Sequence, residues 1–203
     1  YLQLNVAVDH AAAPISAVAG RRVDGESGGA TQTLTRWLNE VQMYLHGLPT
    51  NMRRQESGQP AVNSLWLWGG GALPSAAPRN FSAVYAESPL ASGLARLTGQ
   101  EAQPLPAALA QLGPQSGANP LVVLDNLLPR VLYEDGEGWR EAIVQLESGW
   151  FAPLARGSAV SRLTLLAPTV YGELHYEMTG GDRWKLWKRG KPLAETAHTL
   201  ANA

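Results

Sequence analysis

Asn63-Ser64-Leu65-Trp66-Leu67-Trp68-Gly69-Gly70-Gly71 brings an orientable amide, two indoles and three consecutive glycines into one short run. Upstream of it stand Glu40, Asn51, Arg53 and Arg54. An arginine guanidinium is a planar fork that matches a carboxylate or a phosphate. Asparagine amides supply both donors and acceptors. Successive glycine N–H groups can form a concavity that binds an anion. Asn51, Arg53, Arg54, Asn63, Gly69, Gly70 and Gly71 are therefore candidate ligand-binding residues. The chemistry they suit is capture of a small anion or an acidic group without a metal. A structural reading competes with it, in which Arg53 pairs with Glu40 or Glu56 and the asparagines satisfy turn backbone. The glycines do not make a nucleotide-binding P-loop, because the Lys and Ser/Thr that must follow are absent.

No catalytic residue stands out. The chain has neither a Gly-x-Ser-x-Gly elbow nor a His-Glu-x-x-His pair. Gln42 and His46 are four apart on one helical face, but glutamine is a poor metal ligand, and a hydrogen-bonded histidine at a helix end explains the pair. With no cysteine there is neither a disulfide framework nor a thiolate metal site.

These residues need elements to position them. Leu65 and Leu67 alternate with Trp66 and Trp68, a period of two with both faces apolar. That predicts a strand covered on both sides, with Trp66 and Trp68 buried on opposite faces and the glycines turning the chain at its end. Leu34, Leu38, Val41, Leu45 and Leu48 recur at three- and four-residue steps, predicting a helix from Thr31 or Thr33 to about Leu48. Arg36 and Glu40 can pair across one of its turns. Gln55 to Pro60 reads as a turn. A helix and strand so close in sequence should pack together. The anion site is then expected between Asn51–Arg54 and the Gly69–Gly71 turn, at the carboxyl end of a strand, where open α/β sheets hold ligands.

Further elements follow the same logic. Tyr1 to Val8 and Phe81 to Ala86 read as strands, and Arg21 to Gly29 as a loop. Pro89 to Leu97, Pro104 to Leu112 and Trp139 to Leu154 read as helices. Leu121 to Leu124 is an apolar run ending in Asp125-Asn126, as expected of a central parallel strand, and Arg162 to Leu166 reads as another buried strand. Tyr171 to Met178 and Arg183 to Lys188 suggest an antiparallel hairpin around Gly180-Gly181. Alternation of strands and helices gives an α/β fold with a mostly parallel sheet flanked by helices and a C-terminal antiparallel hairpin.

Composition sets bounds. At 203 residues and 45% apolar content, one domain spanning residues 1–203 is expected. The chain starts at Tyr1 and opens directly in a strand-like run, which suggests the C-terminal part of a longer protein. A net charge of -1 argues against a general nucleic-acid footprint. The basic, aromatic run Arg183 to Lys191 reads first as an edge strand guarded by lysines, although a single-stranded nucleic-acid platform would have a similar composition. No apolar run reaches membrane-spanning length, and no secretory signal pattern opens the chain, so a cytoplasmic location with no membrane partner is expected.

Two resemblances add to this. The order Asn39-Glu40-Val41-Gln42-Met43, Leu45-His46, Pro49-Thr50-Asn51, Arg53-Arg54, Gly58 and Val62-Asn63-Ser64-Leu65-Trp66-Leu67-Trp68-Gly69-Gly70-Gly71 resembles the Rpf E-type regulatory proteins of bacteria, a family named for regulation of pathogenicity factors. More remotely, Ala61 to Pro74 is similar to the Ala-Asn-x-Ile-Trp-Leu-Trp-Gly-x-Gly-x-x-Pro stretch of archaeal-type cofactor-independent phosphoglycerate mutases, two-metal enzymes of the alkaline-phosphatase superfamily. Phe81 to Gly99 fits the next segment of those mutases. The resemblances imply an alkaline-phosphatase-like fold. They also imply either a regulatory protein or a phosphotransferase using manganese or zinc.

An active mutase needs aspartates and histidines converging on two metals. Asp125 follows its strand at the right kind of place and is the candidate metal ligand; a strand-end cap explains it equally simply. The histidine and second aspartate that the mutase pattern brings next are missing, since no histidine lies between His46 and His175. A later Asp-His pair is replaced by Ala167-Pro168-Thr169-Val170. Glu134, Asp135 and Glu137 precede a helix, whose dipole favours carboxylates without any metal. The sequence therefore reads as a non-catalytic regulatory or ligand-sensing protein with no cofactor. Its expected partner is a small anion or another protein.

Overall fold

The computed structural model describes residues 12–18, 32–72, 74–113, 117–156, 160–169, 172–184, 195–196 and 198–199. Among them the chain is a mixture of helices and short strands arranged in two compact units, Tyr1–Leu73 and Pro74–Ala203. The expected strand at Tyr1 to Val8 and loop at Arg21 to Gly29 lie outside the described residues, as does most of Arg183 to Lys191.

The first unit is helical. A single turn, α1 (Ile15–Val18), is followed by α2 (Gln32–His46) and α3 (Pro49–Glu56). In α2, Leu34 is buried, and Leu38, Val41 and Leu45 are half-buried, so the periodic stripe is the packed face as expected. Met43 and Tyr44 lie off that stripe and are exposed. Arg36 and Glu40 form the anticipated pair at 2.8 Å. Helix α3 is an addition to the sequence reading. Pro49 opens it at the first helical position, where a missing N–H is harmless. Gly58, at φ +71°, closes it with two bonds, Gly58 N–H to Gln55 O and Gln59 N–H to Arg54 O. That paired pattern satisfies carbonyls that a helix end would leave open.

The second unit contains the parallel element. β1 (Val84–Tyr85) pairs in parallel with β2 (Leu121–Val122), and on its other side Tyr85 forms a parallel bridge with Gln103. Between the two lies α4 (Pro89–Leu97), whose bounds match the expected ones; Pro89 opens it, and beyond it Gly99 N–H bonds to Arg96 O. Val84, Ala86 and Ala95 form the core here, with Ala91, Ala102, Leu121 and Val123 packed on it. Small residues on α4 let the helix lie close to the strands. This sheet has two strands, so the parallel character is present on a small scale.

Pro104 to Leu112 is not an α-helix; only Leu109–Gln111 makes a 3-10 turn. The Gln103 bridge holds the chain extended at its start, and residues preceding Pro104 and Pro106 are turned away from helical angles. Beyond β2 come α5 (Leu127–Leu132) and α6 (Gly136–Leu146). The latter runs through a wide π turn, Glu147–Phe151, into α7 (Ala152–Arg156). Pro153 has no N–H for the preceding turn, and the local change of hydrogen-bond pattern accommodates it. Asp135 caps α6 by accepting from Gly138 N–H at 2.9 Å and from Arg130 Nη1 at 2.6 Å.

The C-terminal hairpin exists, but with different strands. β3 (Arg162–Thr169) pairs antiparallel with β4 (Gly172–Thr179), from Arg162 opposite Thr179 to Thr169 opposite Gly172. Arg162 to Leu166 is thus neither buried nor parallel. Its residues alternate between exposed and half-buried, as in a hairpin with one wet face. Gly180-Gly181 starts a 3-10 turn, Gly180–Trp184, and residues 185–188 of the expected second strand lie outside the described residues.

Candidate functional site

The tryptophan segment departs furthest from expectation. Residues 61–70 form no strand, and no described strand pairs with them. Trp66 is half-buried, and its indole Nε1–H donates to Ala13 O at 2.9 Å. Trp68 is 41% exposed and Leu65 48%. Burial on opposite faces of a sheet strand is therefore corrected to one anchored indole and one open indole. Alternation gives a segment the capacity to be a strand, but a ladder needs a partner, and the local contacts here come from side chains instead.

Asn51 makes the main contact. It is buried within α3, and its amide is used three ways. Nδ2 donates to Leu45 O and to Val62 O, each at 2.7 Å, while Oδ1 accepts from Val62 N–H at 2.8 Å. One side chain thus satisfies the last turn of α2 and clips the returning chain at Val62, in the way a neighbouring strand would. Gln42 adds a second tie, donating from Nε2 to Ser64 Oγ at 3.2 Å, and so does not team with His46.

Of the two arginines, Arg54 reaches the returning chain and Arg53 bonds within its own helix. Arg53 donates from Nη2 to Thr50 Oγ1 at 3.2 Å, and Arg54 from Nε to Pro60 O at 3.0 Å. Among the described residues neither has a carboxylate partner; Glu40 is taken by Arg36. The internal ion pairs that would have explained Arg53 are absent from the described residues. Asn63 is exposed and makes no side-chain hydrogen bond among them. Gly69, at φ +68°, and Gly71, at φ +151°, sit in backbone that other residues rarely adopt, and a Cβ at either would meet open space. The fold thus gathers Asn51, Arg54 and residues 60–63 into one place. Among the described residues no hydrogen bond joins Gly69, Gly70 or Gly71 to the arginines.

Asp125 is half-buried just beyond β2, where its backbone carbonyl accepts from Leu128 N–H at 3.3 Å as α5 begins. Among the described residues, no three His, Asp or Glu side chains come together in a group able to hold a metal ion. The described residues do not fit a two-metal centre. His175, on β4, faces Glu177 at 3.5 Å. An open cleft of about 420 Å³ lies along the π turn, lined by Glu147, Ser148, Ala152, Pro153 and Arg156, none of them among the expected site residues.

In the acidic run before α6, the Gly138 N–H and then the Arg130 guanidinium hold the Asp135 carboxyl below its ordinary value. Its role is that of a helix cap, which agrees with reading the cluster through the helix dipole. The sequence reading missed α3 and the outer edge of β4. Proline at 49 followed by glycine at 58 signals the former, and proline inside β3 signals an edge strand beside the latter.

No protein-family model matches the chain, and no curated protein or solved structure is significantly similar to it. Among the described residues no helix is long and apolar enough to cross a membrane.

Proposed function

We propose that this chain is a non-catalytic regulatory or ligand-sensing protein of the cytoplasm, a degenerate relative of the cofactor-independent phosphoglycerate mutases with an alkaline-phosphatase-like ancestry. Its ligand is a small anion or acidic group. The observation that supports this reading is the pair of arginines on α3 with no carboxylate partner among the described residues, of which Arg54 is held at Pro60 close to the Asn51 clip. Guanidiniums placed this way can accept a phosphate or carboxylate without first breaking an internal salt bridge. Asn63 and the Gly69–Gly71 amides are the further donors. Asn51, its amide already engaged, supports the site without touching the ligand.

The competing reading is a metal-dependent phosphoglycerate mutase or phosphohydrolase using manganese or zinc. It draws on Asp125 at the carboxyl end of β2 and on the parallel pairing about β1. A thermal-shift titration with inorganic phosphate and with phosphoglycerate separates the two. Stabilisation of the wild type that is lost in Arg53→Ala and Arg54→Ala supports the anion site. No stabilisation, or variants that respond like the wild type, refutes it. Manganese-dependent turnover abolished by Asp125→Ala would instead establish the enzyme.

A further inference from the structure

The β3–β4 hairpin has two long outer edges, and they differ. Thr179 donates its N–H to Asp182 Oδ2 at 2.9 Å, while Gly180 donates to Ser161 O at 3.2 Å. Thr179 thus turns its backbone away from β3. By the alternation of an antiparallel ladder, Glu177, His175 and Glu173 also present their N–H and C=O outward, whereas Met178, Tyr176 and Leu174 bond to β3. Pro168 stands opposite Glu173, so the N–H it lacks would have pointed away from β4. A proline in that place closes the outer edge of β3 to another strand. No proline guards β4, and among the described residues β4 pairs with β3 alone.

We propose that β4 is a dimerisation edge: two copies of this chain pair their β4 strands antiparallel about a two-fold axis at Tyr176, giving a four-stranded sheet.

Charge selects both the occupant and the register. Outward-facing residues must meet outward-facing residues. With Tyr176 on the axis, His175 of each copy meets Glu177 of the other, and Leu174 meets Met178. An imidazole N–H can donate to a carboxylate, and within one strand these two side chains approach to 3.5 Å. With His175 on the axis instead, Glu173 would meet Glu177 twice, and like charges directly opposite are unfavourable. The strand is thus self-complementary in one register and self-repelling in the next. Tyr176, 49% exposed in the middle of the apolar face, would lie against its own counterpart. A two-stranded hairpin is marginal alone, and a second hairpin supplies the missing neighbours. This inference does not depend on the anion site.

Sedimentation equilibrium of the full chain over a dilution series tests it. The expected result is a reversible monomer–dimer equilibrium. His175→Pro removes an outward N–H while leaving the β3 ladder intact, as Pro168 does on the other strand. It should give a folded monomer with unchanged circular dichroism. Glu177→Lys, which opposes a histidine to a lysine twice, should weaken the dimer by about tenfold, and adding His175→Glu should restore it. A wild type that stays monomeric throughout overturns the proposal. So does a folded His175→Pro variant that still dimerises, or a charge swap that fails to restore pairing. If His175→Pro does not fold, the charge variants decide alone.

Discussion

Asn51→Ala tests the clip that organises the first unit. The substitution removes three hydrogen bonds; Val62 O and Val62 N–H lose their Asn51 partner, while Leu45 O keeps the Leu48 N–H at 3.2 Å. Each such bond is worth about 1 kcal/mol net, which gives about 3 kcal/mol for complete loss. Val62 is 41% exposed, so water can reach part of what is left. The expected loss is therefore about 2–3 kcal/mol. Urea unfolding monitored by tryptophan fluorescence should show a lower midpoint with an unchanged slope, because stability changes but compactness does not. Asn51→Asp is the sharper variant. Its carboxylate can still accept from Val62 N–H, but it turns an acceptor towards two carbonyls. At neutral pH it should cost at least as much as alanine. It should recover partly in acid, because burial raises a carboxyl's pKa and its protonated form can donate one bond. An alanine variant within about 0.5 kcal/mol of the wild type, or an aspartate variant that is well tolerated at neutral pH, would refute the clip.

Glu134→Gly should stabilise the chain. Glu134 ends α5 at φ +55°, with Glu134 N–H bonded to Val131 O and Asp135 N–H to Arg130 O, the pattern that Gly58 and Gly99 complete elsewhere. Relief of about 1–2 kcal/mol of left-handed strain outweighs the greater freedom of glycine in the unfolded chain, for a net gain of about 0.5–1 kcal/mol; a lower melting temperature would contradict this. Asp135 should contribute a pH-dependent increment. Its folded pKa lies below the ordinary aspartate value, so the contribution is present above that value and lost as pH falls through the depressed one. Melting curves of wild type and Asp135→Asn should converge in acid, and a gap that persists there would rule out the carboxylate as its source.

Some of this structure is legible in the residues alone, and the reason is locality. The bounds of α4 follow from a proline that can open a helix and a glycine that can close it, so Pro89 and Gly99 suffice. The packed face of α2 follows from Leu34, Leu38, Val41 and Leu45 recurring at helical spacing. The parallel character of Leu121-Val122 follows from an apolar run with no wet face. Pairing is another matter. Arg162 to Leu166 is apolar enough to pass for a central strand, and only Pro168, two residues on, marks it as an edge. The hairpin that the described residues show closes between Thr169 and Gly172, where the sequence offers no Gly-Gly or Asn-Gly pair to announce a turn.

The tryptophan run shows why the candidate site is only half legible. Alternation suggests a strand at Leu65 to Trp68 that does not form, while Asn51 and Arg54 hold the chain just before it, at Val62 and Pro60. What spacing does not reveal is which group meets the extended backbone. Here one buried amide supplies both a donor and an acceptor to Val62, so the segment is fixed without entering a sheet. Holding the chain by a side chain leaves Leu65 and Trp68 open and the Gly69–Gly71 amides uncovered. A sheet strand would instead have spent those backbone groups on its neighbours. The departure from the expected strand is thus a change of partner, from a neighbouring ladder to one buried amide at Val62, and it leaves Leu65 and Trp68 exposed.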